Sequence, residues 1–326
     1  MPGELTLQFA KPVASLPAGP VVFAIVRDED YLLPFFFDHY RALGIEGFLI
    51  YDDRSAAPTV EFLKAQQHCV IARSEHRFGD SFGLNPPENT PRRLGQVLKM
   101  SLPEALLAGR WVLTVDADEF LILPPGVDSL TQLVERLDAV DQPYLTAPMV
   151  EFYGETLASR NYPRSLSPFD GAPFFDVGPY YDWSDIVPKH LVGGVRERLM
   201  RRLAERAPAE FSRIYADHPP YPVKTWKTPL LKHGRGVTRI NNHELSVLPR
   251  TAIAGALAHF KFGPDLDGKI ETAVREGQYY HRSLEYRLLA AAIRALGDEP
   301  LASPETRRWQ GPQSLVDAGL LPPVRT

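Results

Sequence analysis

The chain has 326 residues, with 36 Lys or Arg against 40 Asp or Glu and a formal net charge of −4. That balance lacks the basic excess with which nucleic-acid-binding proteins usually meet phosphate, so DNA and RNA are not expected partners. A hydrophobic share of 44% excludes a disordered chain, and the single cysteine, Cys69, excludes a disulfide framework or a CxxC zinc site.

The first predicted element is Val21-Val22-Phe23-Ala24-Ile25-Val26, a continuous apolar run that reads as a buried parallel strand. Leu32, Leu33, Phe36, Phe37, Tyr40 and Leu43 then recur at helical spacing. Pro34 is tolerated only in a first turn, which starts that helix near Asp30 or Tyr31, and Gly44 supplies its stop. Gly47 to Tyr51 is a second strand, ending in Asp52-Asp53-Arg54-Ser55. A helix near Pro58–Gln67 and a strand at Cys69–Arg73 continue the alternation. Residues 79–91 are expected as a polar loop, followed by a helix over about Arg92–Ala108 that Pro103 could split. Trp111 to Val115 is the next strand and runs directly into Asp116-Ala117-Asp118-Glu119. This alternation predicts an α/β fold, Rossmann-like, with a mostly parallel sheet flanked by helices.

Beyond Pro124-Pro125 the pattern loosens. Gln142–Tyr153 reads as a strand, 158–189 as a long Pro/aromatic loop, and Val192–Ala207 as helical in its second half. Val237–Ile240 and Ala252–Phe262 are apolar segments, and Gly268–Leu296 reads as one helix. Of 31 prolines, fourteen fall between Pro124 and Pro229, which marks that third of the chain as irregular and stiffened. The expected organisation is an N-terminal extension (1–19), a main domain (20–275, divided into halves at 125/126) and a C-terminal helical extension (276–326). No apolar run approaches the ~18 residues of a membrane span, and residues 1–20 lack signal-peptide features. The expectation is a soluble cytoplasmic protein, with peripheral membrane contact left open.

In open α/β sheets, ligands bind beyond the carboxyl ends of the strands. Arg27, Asp52-Asp53 and Asp116-Asp118 all fall at that edge. Two carboxylates at i and i+2, where a strand breaks into a turn, can reach one hard cation. Mg²⁺ or Mn²⁺ held there would neutralise a diphosphate. The plainer alternatives are an Asp-rich turn at 116–118, a β-turn opener at Asp52-Asp53, and a surface pair of Arg27 with Glu29 or Asp30.

Taken together, Val26-Arg27-Asp28-Glu29, Tyr40-Arg41-Ala42-Leu43-Gly44, Ile50-Tyr51-Asp52-Asp53-Arg54-Ser55 and Val115-Asp116-Ala117-Asp118-Glu119-Phe120-Leu121 resemble the family-two-like glycosyltransferases of GT-A fold. The resembled branch carries VRNE, IYDN(x)S and DxDEFL signatures. The likeness covers about residues 20–125 and, more loosely, 145–275; Asp28 stands where Asn is usual, and Arg54 where a small polar residue is common. It implies that Arg27 lies near the nucleotide or its diphosphate and that Asp52 or Asp53 contacts base or ribose. It further implies that Asp116 faces ribose or metal and that Asp118 is a direct metal ligand, with His259 (His243 as alternative) completing an Mn²⁺ or Mg²⁺ site.

The expected activity is transfer of a sugar from a nucleotide-diphosphate donor, a UDP-sugar, to a hydroxyl of a glycan or other acceptor, with inversion. An inverting reaction needs a base, and the candidates are Glu151, Asp176, Asp182 and Asp185, with Glu151 and Asp182 taken forward. Arg196, beside Gly193-Gly194, and Lys269 are candidate phosphate contacts, or a helix lead-in and a surface lysine. Phe169, Phe174, Phe175, Tyr180, Tyr181 and Trp183 either form a sugar-stacking face or a small core of their own. His39 is read as packing or capping. The alternatives kept are a nucleotidyltransferase, disfavoured by the absence of glycine after the first strand, and a non-catalytic carbohydrate-binding protein on such a scaffold.

Overall fold

The computed structural model describes residues 5–85, 90–177, 194–216, 225–241, 243–247 and 253–321. In chain order the first elements are β1 (Gln8–Phe9), β2 (Val21–Val26), α1 (Leu32–Ala42), β3 (Gly47–Asp52), α2 (Ala57–Ala65), β4 (Cys69–Arg73), β5 (Ser81–Asn85) and β6 (Thr90–Arg93). Then come α3 (Leu94–Leu106), β7 (Trp111–Thr114), β8 (Glu119–Ile122), α4 (Leu130–Ala139), β9 (Tyr144–Tyr153), α5 (Pro168–Gly171), β10 (Phe174–Asp176), α6 (Gly194–Arg206) and α7 (Pro208–Tyr215). The last are β11 (Trp226–Lys232), β12 (Ala256–His259), α8 (Leu266–Glu276), α9 (Tyr280–Leu296), β13 (Thr306–Arg308) and α10 (Gln313–Asp317). The chain divides into two compact units: Met1–Ala147 with Lys227–Gly255 and Val324–Thr326, and Pro148–Trp226 with Ala256–Pro323.

The first unit is α/β, with a mixed, mostly parallel sheet flanked by helices. Parallel pairing joins β4 to β3, β3 to β2 and β2 to β7, while β1 and β11 add antiparallel to β4 and β7. The register sets Val26 beside Asp52, so both strands end at one level. Val21, Phe23, Leu49, Tyr51, Val70 and Val112 pack against Leu94, Leu98 and Leu102 of α3. Strands covered by helices on both faces must be apolar on both, which is why β2 and β3 read as continuous rather than alternating runs.

Three local features follow from single residues. Gly44 takes φ +85 just past α1, as the expected stop. Pro103 sits inside α3 without splitting it, although it removes the N–H that would serve the Lys99 carbonyl. The expected loop at 79–91 instead contains a two-stranded antiparallel ladder, β5 with β6. Glycine and proline there hid the strand signal: the register slips between Ser81 and Leu84, at Gly83 (φ +80).

In the second unit, the later residues of β9 pair parallel with β12 and antiparallel with β10, and β10 continues antiparallel to β13. Val195, Leu199 and Leu203 of α6 pack with Phe262, Leu266, Leu284, Leu288 and Leu289. Residues 280–308 therefore contribute to this unit's core and sheet. The helix expected over Gly268–Leu296 is two helices, because Gly277 closes α8 in the left-handed region (φ +64). Phe169 stacks on Trp309 at 5.1 Å and meets Phe152 and Phe260, while Phe175 is fully buried. These two rings form an internal aromatic core, not a sugar-stacking face; Tyr180, Tyr181 and Trp183 lie outside the described residues.

Candidate functional site

The carboxyl edge of the first unit's parallel strands gathers the predicted polar residues and sorts them. Asp52 closes β3: its Oδ2 accepts from Arg73 Nε at 2.7 Å and its Oδ1 from the Ser55 N–H at 3.1 Å. Both oxygens are engaged in holding strand ends and the turn. Asp53 differs. Its own N–H donates to Val26 O (2.9 Å), and its Oδ1 accepts from the Phe78 N–H (2.8 Å). Its Oδ2 is buried and has no hydrogen-bond partner among the described residues. Burial pushes the Asp53 carboxyl up to about 6, against the opposing pull of the Phe78 N–H, Arg27 and Arg77. An acceptor withdrawn from water without a donor is a position that a ligand N–H can fill.

Asp28 sits at φ +51, a left-handed conformation that Asn and Asp tolerate. Its N–H donates to Ser55 Oγ (3.1 Å) and its Oδ1 accepts from the Ala56 N–H (2.6 Å), tying the turn after β2 to the turn after β3. Arg27 Nε approaches the Oδ2 of this neighbour at 3.9 Å.

Asp116 follows β7 and opens a turn that closes at Glu119, whose N–H donates to Asp116 O (3.0 Å) while its Oε2 accepts from the Asp116 N–H (3.1 Å). The Asp116 carboxylate lies between two ammonium groups: Oδ1 accepts from Lys99 Nζ of α3, and Oδ2 from Lys227 Nζ of β11 at 3.0 Å. Lys227 also donates to Glu119 Oε1. Lys99, Lys227 and Glu119 are all buried. Burial opposes ionisation of Asp116, yet Lys227 and Lys99 outweigh it and hold the carboxyl well below the usual range; Asp118 works the other way. Asp116 and Glu119 in turn raise Lys227 against its own burial. Arg239 is a third buried cation in this cluster: Nη2 donates to Thr228 O (2.8 Å), and burial lowers its guanidinium to about 10, with Glu119 opposing.

This arrangement does not fit Asp116 as a metal ligand. A divalent cation at ~2.1 Å from either oxygen would face an ammonium group already bonded there. Asp118, half-buried within the turn, is the other carboxylate of the expected pair.

The remaining expected residues lie in the second unit. Glu151 is buried on β9 and accepts from Arg196 twice, at Nε and at the backbone N–H (3.1 Å). Arg196 also donates from Nη1 to Glu285 Oε1 at 2.6 Å. Burial opposes ionisation of Glu285, but Lys261 and Arg196 hold its carboxyl down to about 2. His259, on β12 and beside Glu151 in the ladder, approaches its Oε1 at 3.7 Å. One set of contacts bears on the expectations for Glu151 and Arg196: both Glu151 oxygens are engaged by one arginine and Arg196 is gripped by two carboxylates, so in this geometry each serves as the other's counter-ion.

Asp176 is likewise engaged, accepting from Arg198 Nε and Nη2 (both 2.9 Å) and from Tyr153 Oη. Asp182 and Asp185 lie outside the described residues. Lys269 is half-buried on α8, and His243 lies in the first unit, where its N–H donates to Asn241 Oδ1 (2.8 Å). His39 Nε2 bonds Leu121 O at 2.8 Å, which docks α1 on β8. A separate concavity of about 370 Å³ in the second unit is lined by Asn161, Tyr162, Phe174 and Arg308, with Gly171 at its wall.

Lys99, Lys227 and Arg239 were not foreseen. Lys227 carries the one readable signal, a lysine within the apolar run Trp226–Leu231; nothing in one sequence says that Asp116 is its partner. No protein-family model matches the chain, and no curated protein matches it. Among the described residues, no helix is long and apolar enough to cross a membrane.

Proposed function

We propose that the first unit binds a nucleoside diphosphate sugar, a UDP-sugar in preference, and that the chain is a glycosyltransferase of GT-A type. The observation that carries this reading is the Asp53 Oδ2 atom, buried and, among the described residues, without a donor at the carboxyl edge of a parallel sheet. Uracil presents an imide N–H that would satisfy that oxygen, whereas cytosine presents an acceptor at the same ring position. Arg27 and Arg77 act electrostatically on Asp53, which suits an anionic ligand at this rim. The motif resemblance over residues 20–125 points to the same donor class.

The sugar passes from the diphosphate to an acceptor hydroxyl: the new glycosidic bond forms as the bond to the nucleotide phosphate breaks. Inversion needs a base, and with Glu151 and Asp176 engaged by arginines, Asp182 and Asp185 remain the candidates. Because Asp116 does not fit a metal, no step of the transfer is assigned to Mn²⁺ or Mg²⁺. A thermal-shift and calorimetric panel of UDP, CDP, GDP and their sugar conjugates tests the reading. UDP compounds are expected to raise Tm most; no shift with any nucleotide refutes the donor assignment.

A further inference from the structure

We propose that Lys99 and Lys227 are the groups that bind the diphosphate, and that Asp116 is a positioning residue that holds them rather than a metal ligand. This rests on the nucleotide reading above and deepens it.

An ammonium group carries three donors. Among the described residues, Lys99 Nζ has one acceptor, Asp116 Oδ1, and Lys227 Nζ has two, Asp116 Oδ2 and Glu119 Oε1. Their side chains are 10% and 9% exposed, and each ammonium keeps at least one donor without an acceptor among the described residues. Buried charged donors are normally matched, and in this cluster the match is incomplete. Two further buried polar atoms of the first unit lack a partner among the described residues. Arg239 Nε is buried without an acceptor, and Thr114 Oγ1, at the end of β7 just before the Asp116 turn, is buried without a partner. What these groups lack is an acceptor-rich anion, and a diphosphate is one. The acidic turn then has a different purpose from the one its spacing suggests. Asp116 and Glu119 fix two ammonium groups on separate elements, α3 and β11, where each keeps donors for phosphate oxygens.

The test measures uridine and UDP binding by calorimetry, in EDTA and in Mg²⁺, for the wild type, Lys99→Met, Lys227→Met and Lys227→Arg. The Kd ratio of uridine to UDP isolates the diphosphate. The wild type is expected to keep its UDP affinity in EDTA. Lys99→Met should weaken UDP about ten- to hundredfold, the size of one lost charge-assisted hydrogen bond, with uridine unchanged. Lys227→Met should do the same, and Lys227→Arg should restore part of the affinity; if Lys227→Met does not fold, Lys99→Met and Lys227→Arg decide. UDP binding abolished by EDTA overturns the proposal, as does an unchanged uridine-to-UDP ratio in Lys99→Met; either result leaves the nucleotide reading standing. Binding of neither uridine nor UDP by the wild type overturns the nucleotide reading itself, and this proposal with it.

Discussion

Replacing Arg196 by Met removes the guanidinium between two carboxylates and keeps most of the aliphatic stem. Glu151 is 1% exposed and would retain one donor, the residue-196 backbone N–H, whereas Glu285 would keep Lys261 at 3.6 Å. Breaking a buried ion pair on one side costs about 3–5 kcal/mol, because the remaining charge is left without compensation. Restoring neutrality with Glu151→Gln in the same chain should recover part of that loss, giving a coupling of about 1–3 kcal/mol between the two sites. The acid limb should move too. Glu285 is depressed from 4.5 to about 2 in the folded state, so it stabilises above its unfolded value and that stability is lost as pH falls from about 4.5 towards 2. Without Arg196 the depression shrinks, so this acid loss should be smaller and should be complete at a higher pH. Urea denaturation followed by tryptophan fluorescence, at neutral pH and through the acid range, measures both effects. An Arg196→Met chain within about 1 kcal/mol of wild type, well short of the cost of a broken buried pair, would refute the counter-ion role of Arg196. It would return Arg196 and Glu151 to the candidate phosphate contact and base.

Asp53→Asn should stabilise the protein at pH 8 and have little effect near pH 4. Its folded pKa is raised from 3.8 to about 6, so stability is greatest below the unfolded value and is lost as pH rises through 6. Equal changes in denaturation midpoint at the two pH values would contradict this. Gly171→Ala should destabilise by about 1–3 kcal/mol, since its Cβ would stand 2.3 Å from the Tyr162 ring and the ring must move. Chemical denaturation reads that loss, and a Tyr162→Ala background should diminish it.

Much of the first unit could be read along the chain. Continuous apolar runs at 21–26 and 47–51 are what doubly covered parallel strands require, and strand-end position alone placed Arg27, Asp53 and Asp116 on one edge. Where glycine and proline interrupt such runs, as at β5 and β6, the ladder is set by pairing between strands, and local pattern does not reveal it.

Side-chain roles are another matter. By sequence, Asp52 and Asp53 are indistinguishable, as are Glu151 as base and Glu151 as counter-ion; the difference lies in which donor a distant element delivers. Arg73 arrives from β4 to occupy Asp52, and Arg196 from α6 to occupy Glu151. Lys99 and Lys227, 17 and 111 positions from Asp116, turn a pair of candidate metal ligands into a seat for ammonium groups. Periodicity is a local property, so the parallel strands β2, β3, β4 and β7 and the edge at which they end were determined by sequence. Electrostatic balance depends on every charge within a few ångströms, and only the tertiary structure brings those charges together.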